Sequence, residues 1–257
     1  MTGGRSRLPL PPVLMYHSIS PSAEPDPHAL RVHPARLDRH LGLLRRLGLR
    51  GVPLTELVRA AERGAAAGLV GLTFDDGYTD FLDHAVPVLR RHGMAGTVYA
   101  VAGLLGGTND WDTGPRFRIM DAGQLRAVAA AGQEVGSHTL THARLAGADP
   151  AVLAAEVGES RRVLEDVLQA EVPGFCYPYG SYDDAAADAV RAAGYDNACV
   201  TGDYEPGDRV TLPRCYVSPR DTRAHLVARL VRHSVRLRRA VARDAARPAA
   251  PVAGAGR

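Results

Sequence analysis

The sequence predicts an α/β fold, with a barrel of seven or eight strand–helix units favoured over an open doubly wound sheet. Two observations carry this reading. Short β-rich runs alternate with helical periodicities up to about residue 220, the signature of parallel strands joined by crossover helices. No internal repeat and no Ser/Gly-rich linker breaks the series before Asp221, so the units form one body of the roughly 250-residue size usual for a barrel. Composition agrees: 257 residues, 46% apolar and 23% charged, supply a sizeable core and exclude a disordered or collagen-like chain.

The elements follow in order. Residues 13–16 (Val-Leu-Met-Tyr) form the first strand. Leu37, Leu41, Leu44 and Leu47 recur on one face and predict a helix over 36–47. A short strand over 52–54 leads into a helix from Thr55 to Ala66. A strand over 70–74, a helix over 81–92 and a strand over 96–101 come next. Asp121 with Gln124 three residues on is a capping-box start for a helix ending at Ala131, and 133–137 is the strand after it. Asp149-Pro150, an N-cap followed by proline at the first helical position, opens a long helix to Gln169. A strand over 174–177, a helix over 183–193, and strands over 197–200 and 214–217 complete the body.

We divide the chain into a barrel, 1–220, and an appended element, 221–257. In the latter Leu226, Leu230 and Leu237 mark an amphipathic helix, and the Pro/Ala/Gly tail from Arg247 reads as disordered. All 31 basic residues are arginine, so lysine-dependent chemistry is excluded. Nine arginines against two aspartates follow Arg220, leaving a mildly acidic body. That asymmetry speaks for a surface element, not a nucleic-acid-binding protein. Arginine on one helix face and leucine on the other suits peripheral contact with an anionic membrane. Cys176, Cys199 and Cys215 stand singly and read as small buried hydrophobes in a reducing compartment. No apolar run reaches the ~18 residues of a membrane span, and the N-terminus lacks the ~7–15-residue apolar core of a secretory signal. The expected location is the cytoplasm or the inner membrane face.

Three motifs at predicted strand ends could carry chemistry. Thr73-Phe74-Asp75-Asp76-Gly77 puts two carboxylates at a strand-to-loop junction, where both can converge on one ion; the alternative is a helix cap plus a solvated acid. Ser137-His138-Thr139-Leu140-Thr141-His142 places two imidazoles on one side of a helical turn or compact loop, able to chelate a single metal. Two histidines and a carboxylate are a recurring catalytic set that leaves positions open for water. The turn Tyr177-Pro178-Tyr179-Gly180 offers a wall and a backbone N–H to the same site, or simply a packed rim. Trp111, the only tryptophan, sits in a Gly-rich loop as a stacking or lid residue beside the site or as a buried anchor. Asp110 and Asp112 beside it could meet a substrate, and Tyr16 could line the pocket. His28, His33, His40, His84, His92, His225 and His233 read as solvated or capping residues.

With these motifs in this order, the sequence resembles the polysaccharide deacetylases of the NodB-homology family, roughly from Val13 to Val217. The resemblance implies a distorted, incomplete (β/α)7–8 barrel holding one divalent metal, usually zinc, that hydrolyses N-acetyl groups on amino sugars. Carried over by position, Asp76, His138 and His142 are the metal ligands, Asp75 the general base, and the Tyr179 backbone N–H an oxyanion donor. The opening Leu14-Met15-Tyr16-His17 resembles the branch acting on poly-β-1,6-N-acetylglucosamine and gives His17 the general-acid role. Where many members carry an arginine that holds the base, this chain has Cys176; the late Leu-x-His acid motif is absent, and His225 fits it poorly. Two other readings remain open: the same site acting on a non-sugar amide, and a glycan-binding barrel without activity.

Overall fold

The computed structural model describes residues 10–201 and 208–245. Seven parallel strands form a closed barrel: β1 (Val13–Tyr16), β5 (Leu69–Phe74), β6 (Thr97–Ala100), β7 (Glu134–Ser137), β8 (Gly174–Cys176), β9 (Asn197–Thr201) and β10 (Leu212–Tyr216). Closure comes from β1, which pairs β10 on one edge and β5 on the other, with Val13 opposite Gly71 and Tyr16 opposite Phe74. The barrel is distorted as expected: a single residue pair, Ser137 with Phe175, joins β7 to β8. Three short strands lie outside the ring. β4 (Arg50–Val52) pairs with the first half of β5. β2 (Ser18–Ile19) pairs with β3 (Arg31–Val32), and the loop between them reaches over the barrel mouth.

Helices α1 (Pro34–Arg46), α2 (Leu54–Glu62), α3 (Val86–Arg91), α4 (Ala122–Ala130), α5 (Pro150–Leu153), α6 (Ser160–Leu168), α7 (Asp184–Ala192) and α8 (Arg223–Ala245) accompany the strands. The expected capping box at α4 is present, Asp121 accepting from the Gln124 N–H and Gln124 from the Asp121 N–H. Three expectations are corrected. The helix placed at 81–92 opens with a π-type turn at Phe81–Ala85 before α3. The strand placed at 52–54 ends at Val52, because Pro53 cannot donate to a ladder and α2 starts directly after it. The single helix expected over 150–169 is broken by a wider π-type turn at Ala154–Glu159, a feature that often marks a functional site.

Strand alternation sorts the core into two layers. Leu14, Tyr16, Phe74, Val98, Phe175 and Tyr177 pack outward against helices. Val13, Tyr99, Cys176, Cys199 and Leu212 belong to a second cluster, that of the opposite face. The C-terminal helix is less detached than its composition suggested. Leu226 and Leu230 are buried in the main core, and His233 Nε2 lies 2.9 Å from the Leu10 carbonyl. Two of the three leucines offered to a lipid surface, Leu226 and Leu230, are therefore used inside the molecule. Among the described residues no helix is long and apolar enough to cross a membrane. The tail expected to be disordered lies outside the described residues.

The strands leave no room at Gly136. A Cβ there would stand 2.5 Å from the Tyr99 ring and 2.9 Å from the Gly174 carbonyl oxygen. Gly136→Ala is expected to destabilise the fold by about 1–3 kcal/mol through overpacking, read as a lower midpoint in urea unfolding.

Candidate active site

All three sequence motifs meet at the C-terminal ends of the barrel strands, where barrel sites are built. Thr73 and Asp75 share the inward parity of β5. Asp76 would face outward in a regular strand, but its φ of 73° turns the chain back, and Gly77 follows at φ 70°. Both carboxylates thus enter the site, each about 3% exposed. His138 and His142 lie in a compact loop, not a helix, with Thr139 and His142 in left-handed conformation at φ 67° and 65°.

The π-type turn explains how that loop is held. It carries Glu156, whose carboxylate accepts the Leu140 and Thr141 N–H groups at 2.9 Å each and the Thr141 hydroxyl at 2.6 Å. No sequence signal separated this buried glutamate from a surface helical acid.

Asp76 Oδ1 lies 3.4 Å from His138 Nε2 and 3.3 Å from His142 Nε2. His138 Nδ1 sits 2.8 Å from the Cys176 carbonyl; its N–H donates there, which fixes the ring with Nε2 toward Asp76, where it donates to the carboxylate in the ion-free chain and would turn a lone pair to a bound ion. Burial pushes the Asp76 carboxyl up, but the bonds to His138 and His142 outweigh it and hold the group well below the usual carboxylate range. Two imidazole nitrogens and one carboxylate oxygen, buried and convergent, fit a divalent cation with coordination positions to spare. A second cluster, Asp75, His138 and Cys176, is equally compact but fits poorly. Arg214 NH2 lies 2.7 Å from Asp75 Oδ2 and 3.0 Å from Cys176 Sγ, so a guanidinium already stands against both groups where a cation would have to sit.

Arg214 of β10 engages Asp75. Its NH1 and NH2 donate to Asp75 Oδ1 and Oδ2 at 2.6 and 2.7 Å. The remaining donors reach Thr73 Oγ1 at 3.0 Å, Cys176 Sγ at 3.0 Å and the Val200 carbonyl at 3.3 Å. All five N–H groups of the guanidinium are used. Burial pushes the Asp75 carboxyl up, and the charge and bonds of Arg214 outweigh it to keep the group below its ordinary value. The arginine missing at position 176 is thus supplied from another strand. Its signal was an arginine within an otherwise apolar run, Leu212-Pro-Arg-Cys-Tyr.

These groups open into a cavity of about 500 Å³ whose wall includes His17, Trp111, Asp112, Tyr179 and Tyr216. His17 Nε2 stands 3.9 Å from Asp75 Oδ2. His28, read as a solvated residue, also lines the cavity, and its Nε2 lies 3.3 Å from the Thr113 carbonyl, linking the loop before β3 to the Trp111 loop.

Four residues expected at the substrate are elsewhere. Tyr16 and Tyr177 are fully buried on the outward parity of their strands, Tyr16 stacked on Phe74 with its hydroxyl 3.2 Å from His40 Nδ1. Pro178 is buried and absent from the cavity wall. Asp110 turns away, braced by Arg116 at 2.6 Å and Thr108 at 2.7 Å, so it shapes the loop while Asp112 faces the cavity.

A polysaccharide deacetylase family model matches residues 63–198, which include Asp75, Asp76, His138, His142 and Tyr179 but neither His17 nor Arg214. YxkH of Bacillus subtilis (strain 168), provisionally named a polysaccharide deacetylase, is 28% identical over 198 residues, 76% of this chain and 65% of that relative. The chain thus spans less than two thirds of the relative's length. Among solved structures, the Streptococcus pyogenes deacetylase PplD in complex with acetate superposes with a TM-score of 0.74 at 23% identity, covering 86% of this chain and 98% of its own. IcaB from Ammonifex degensii gives 0.73 at 24%, covering 86% and 97%. Both share the fold.

Replacing Arg214 by Met strands a buried carboxylate, an effect of about 3–5 kcal/mol. Because Asp75 titrates below its ordinary value in the folded chain, the pair's contribution is fully present above the unfolded carboxylate pKa of about 3.9. It is lost as pH falls through the lower folded value. Urea unfolding of wild type and Arg214→Met is expected to show a large stability gap at pH 7 that narrows below pH 4; a gap unchanged on acidification contradicts the assignment.

Proposed function

The chain belongs to the polysaccharide deacetylase family, and from that membership we propose that it hydrolyses N-acetyl groups from an N-acetylhexosamine glycan or glycoconjugate with one divalent metal, zinc by preference. The observation that carries the reading is the convergence of Asp76, His138 and His142 beside a second carboxylate that Arg214 keeps ionised. Asp76, His138 and His142 would hold the metal.

An acetamide is a poor electrophile with a poor leaving group, so hydrolysis needs an activated water, a stabilised oxyanion and a proton for the departing amine. A metal held by this set supplies Lewis acidity, lowering the pKa of water and polarising the acetyl carbonyl. Asp75 accepts the proton of the attacking water. Its two oxygens already take hydrogen bonds from Arg214, and Oδ2 also accepts from the Cys176 thiol at 3.6 Å, but Oδ1 keeps a second lone pair. The Tyr179 backbone N–H donates to the oxyanion, a contribution of roughly 3 kcal/mol for one such donor. His17 gives a proton to the sugar nitrogen as the C–N bond breaks; its position on the cavity wall, with Nε2 3.9 Å from Asp75 Oδ2, supports that role.

Acetate release from β-1,4- and β-1,6-linked N-acetylglucosamine oligomers, beside a small cyclic amide, tests the reading. We expect release from a sugar series, abolished by a chelator and restored by Zn²⁺. Asp75→Asn should keep its metal and lose about 10²–10⁴-fold in turnover, whereas Asp76→Ala should lose the metal. Release from the cyclic amide alone transfers the activity to non-sugar substrates, and metal loss in Asp75→Asn reverses the two roles.

A further inference from the structure

The two histidines of the proposed metal set are oriented by different means. His138 is fixed by a hydrogen bond from Nδ1 to the Cys176 carbonyl. His142 Nδ1 is buried and finds no hydrogen-bond partner among the described residues. What surrounds its ring is aromatic: the Trp111 indole stacks on it at 4.2 Å with 17° between planes, and Tyr179 meets it edge-on at 4.7 Å and 76°. We infer that Trp111 is a positioning residue for His142, its indole face doing for this ligand what the carbonyl hydrogen bond does for His138.

The backbone gives the indole something to do. His142 sits at φ 65°, a conformation unfavourable for a non-glycine residue, and apart from the indole its ring meets only edges and a single polar atom: Asp76 Oδ1 at 3.3 Å and the His138 and Tyr179 rings in T-shaped contact. A stacked ring restrains the imidazole without supplying a hydrogen bond, and ring pairs of this kind contribute beyond the area they bury. The loop presenting Trp111 is built to hold it. Asn109 is buried and its Oδ1 accepts the Phe117 N–H at 2.7 Å, while Asp110 is tied to Arg116 and Thr108. One indole face is thereby occupied, so a stacking sugar would have only the other.

This inference rests on the proposed metal set, and a metal-binding assay separates the two. Trp111 is the chain's single tryptophan, so its fluorescence reports the site directly. Titration of wild type with Co²⁺ is expected to quench that emission with a saturating, one-equivalent profile that Asp76→Ala abolishes. Zn²⁺ affinity, measured by competition with a chelating dye, is expected to fall about 10–100-fold in Trp111→Ala, the range for lost outer-shell support, and to stay within about threefold in Trp111→Phe, which retains a stacking ring. Circular dichroism and urea unfolding check that both variants fold. If Trp111→Ala binds Zn²⁺ as tightly as wild type, the positioning role is overturned while the metal set stands. If wild type binds neither ion, both fall. Equal weakening in the Ala and Phe variants also overturns the stacking account.

Discussion

Two carboxylates in consecutive positions, both inside a barrel mouth, cannot stay ionised on their own. At an effective dielectric near 20 their repulsion alone is roughly 3 kcal/mol at ~5 Å, added to the desolvation of each. The structure meets this constraint by giving each acid separate partners. Asp75 takes a guanidinium in fork-to-fork geometry, the strongest arrangement for a carboxylate. Asp76 takes two imidazole nitrogens. Neither set of partners can be exchanged, because Arg214 reaches inward from β10 and the imidazoles from the loop after β7. One layer out, the buried Glu156 side chain collects the Leu140 and Thr141 N–H groups of the loop carrying both histidines.

Strand parity decides which side chains can serve. Along β1, Met15 and His17 reach the cavity and Tyr16 does not. Along β10, Arg214 and Tyr216 face the site, and Cys215 packs in the outer layer. At the end of β5 the chain leaves regular strand geometry, at Asp76 with φ 73°, and there two neighbouring carboxylates point the same way. The strain sits at a residue whose placement regular structure could not deliver.

Most of the architecture was legible because it rests on local signals. Alternating strand and helix periods, caps at Asp121 and Asp149, and three motifs at strand ends are properties of short windows. What was missed depends on long-range geometry. Arg214 lies 139 positions from Asp75, and nothing in its own window says that it points at a carboxylate. The turn at Ala154–Glu159 was missed because both flanking segments are good helix, and a π-type insertion leaves that pattern nearly intact. Tyr16 and Tyr177 were misplaced because an aromatic beside a motif residue suggests a pocket wall, while the parity of the neighbouring strand position sends it the other way. Asp110 and Asp112, two apart in an irregular loop, offered no periodic rule for choosing between them.

The spacing Asp-Asp-Gly does not say which acid would hold an ion; in the proposed mechanism the partners distinguish them. Both oxygens of Asp75 accept from Arg214, and a divalent cation on either would stand within a few ångströms of the guanidinium, like charge against like in a medium that screens poorly. Among the described residues Asp76 pairs with the two histidines and no arginine, and an imidazole that binds metal does so neutral, leaving the Asp76 charge to be balanced by the ion. In the proposed mechanism the arginine therefore does two things at once. It keeps Asp75 ionised and ready for a proton, and it keeps the metal off that carboxylate, so the order of roles along the chain follows from which strand supplies the guanidinium.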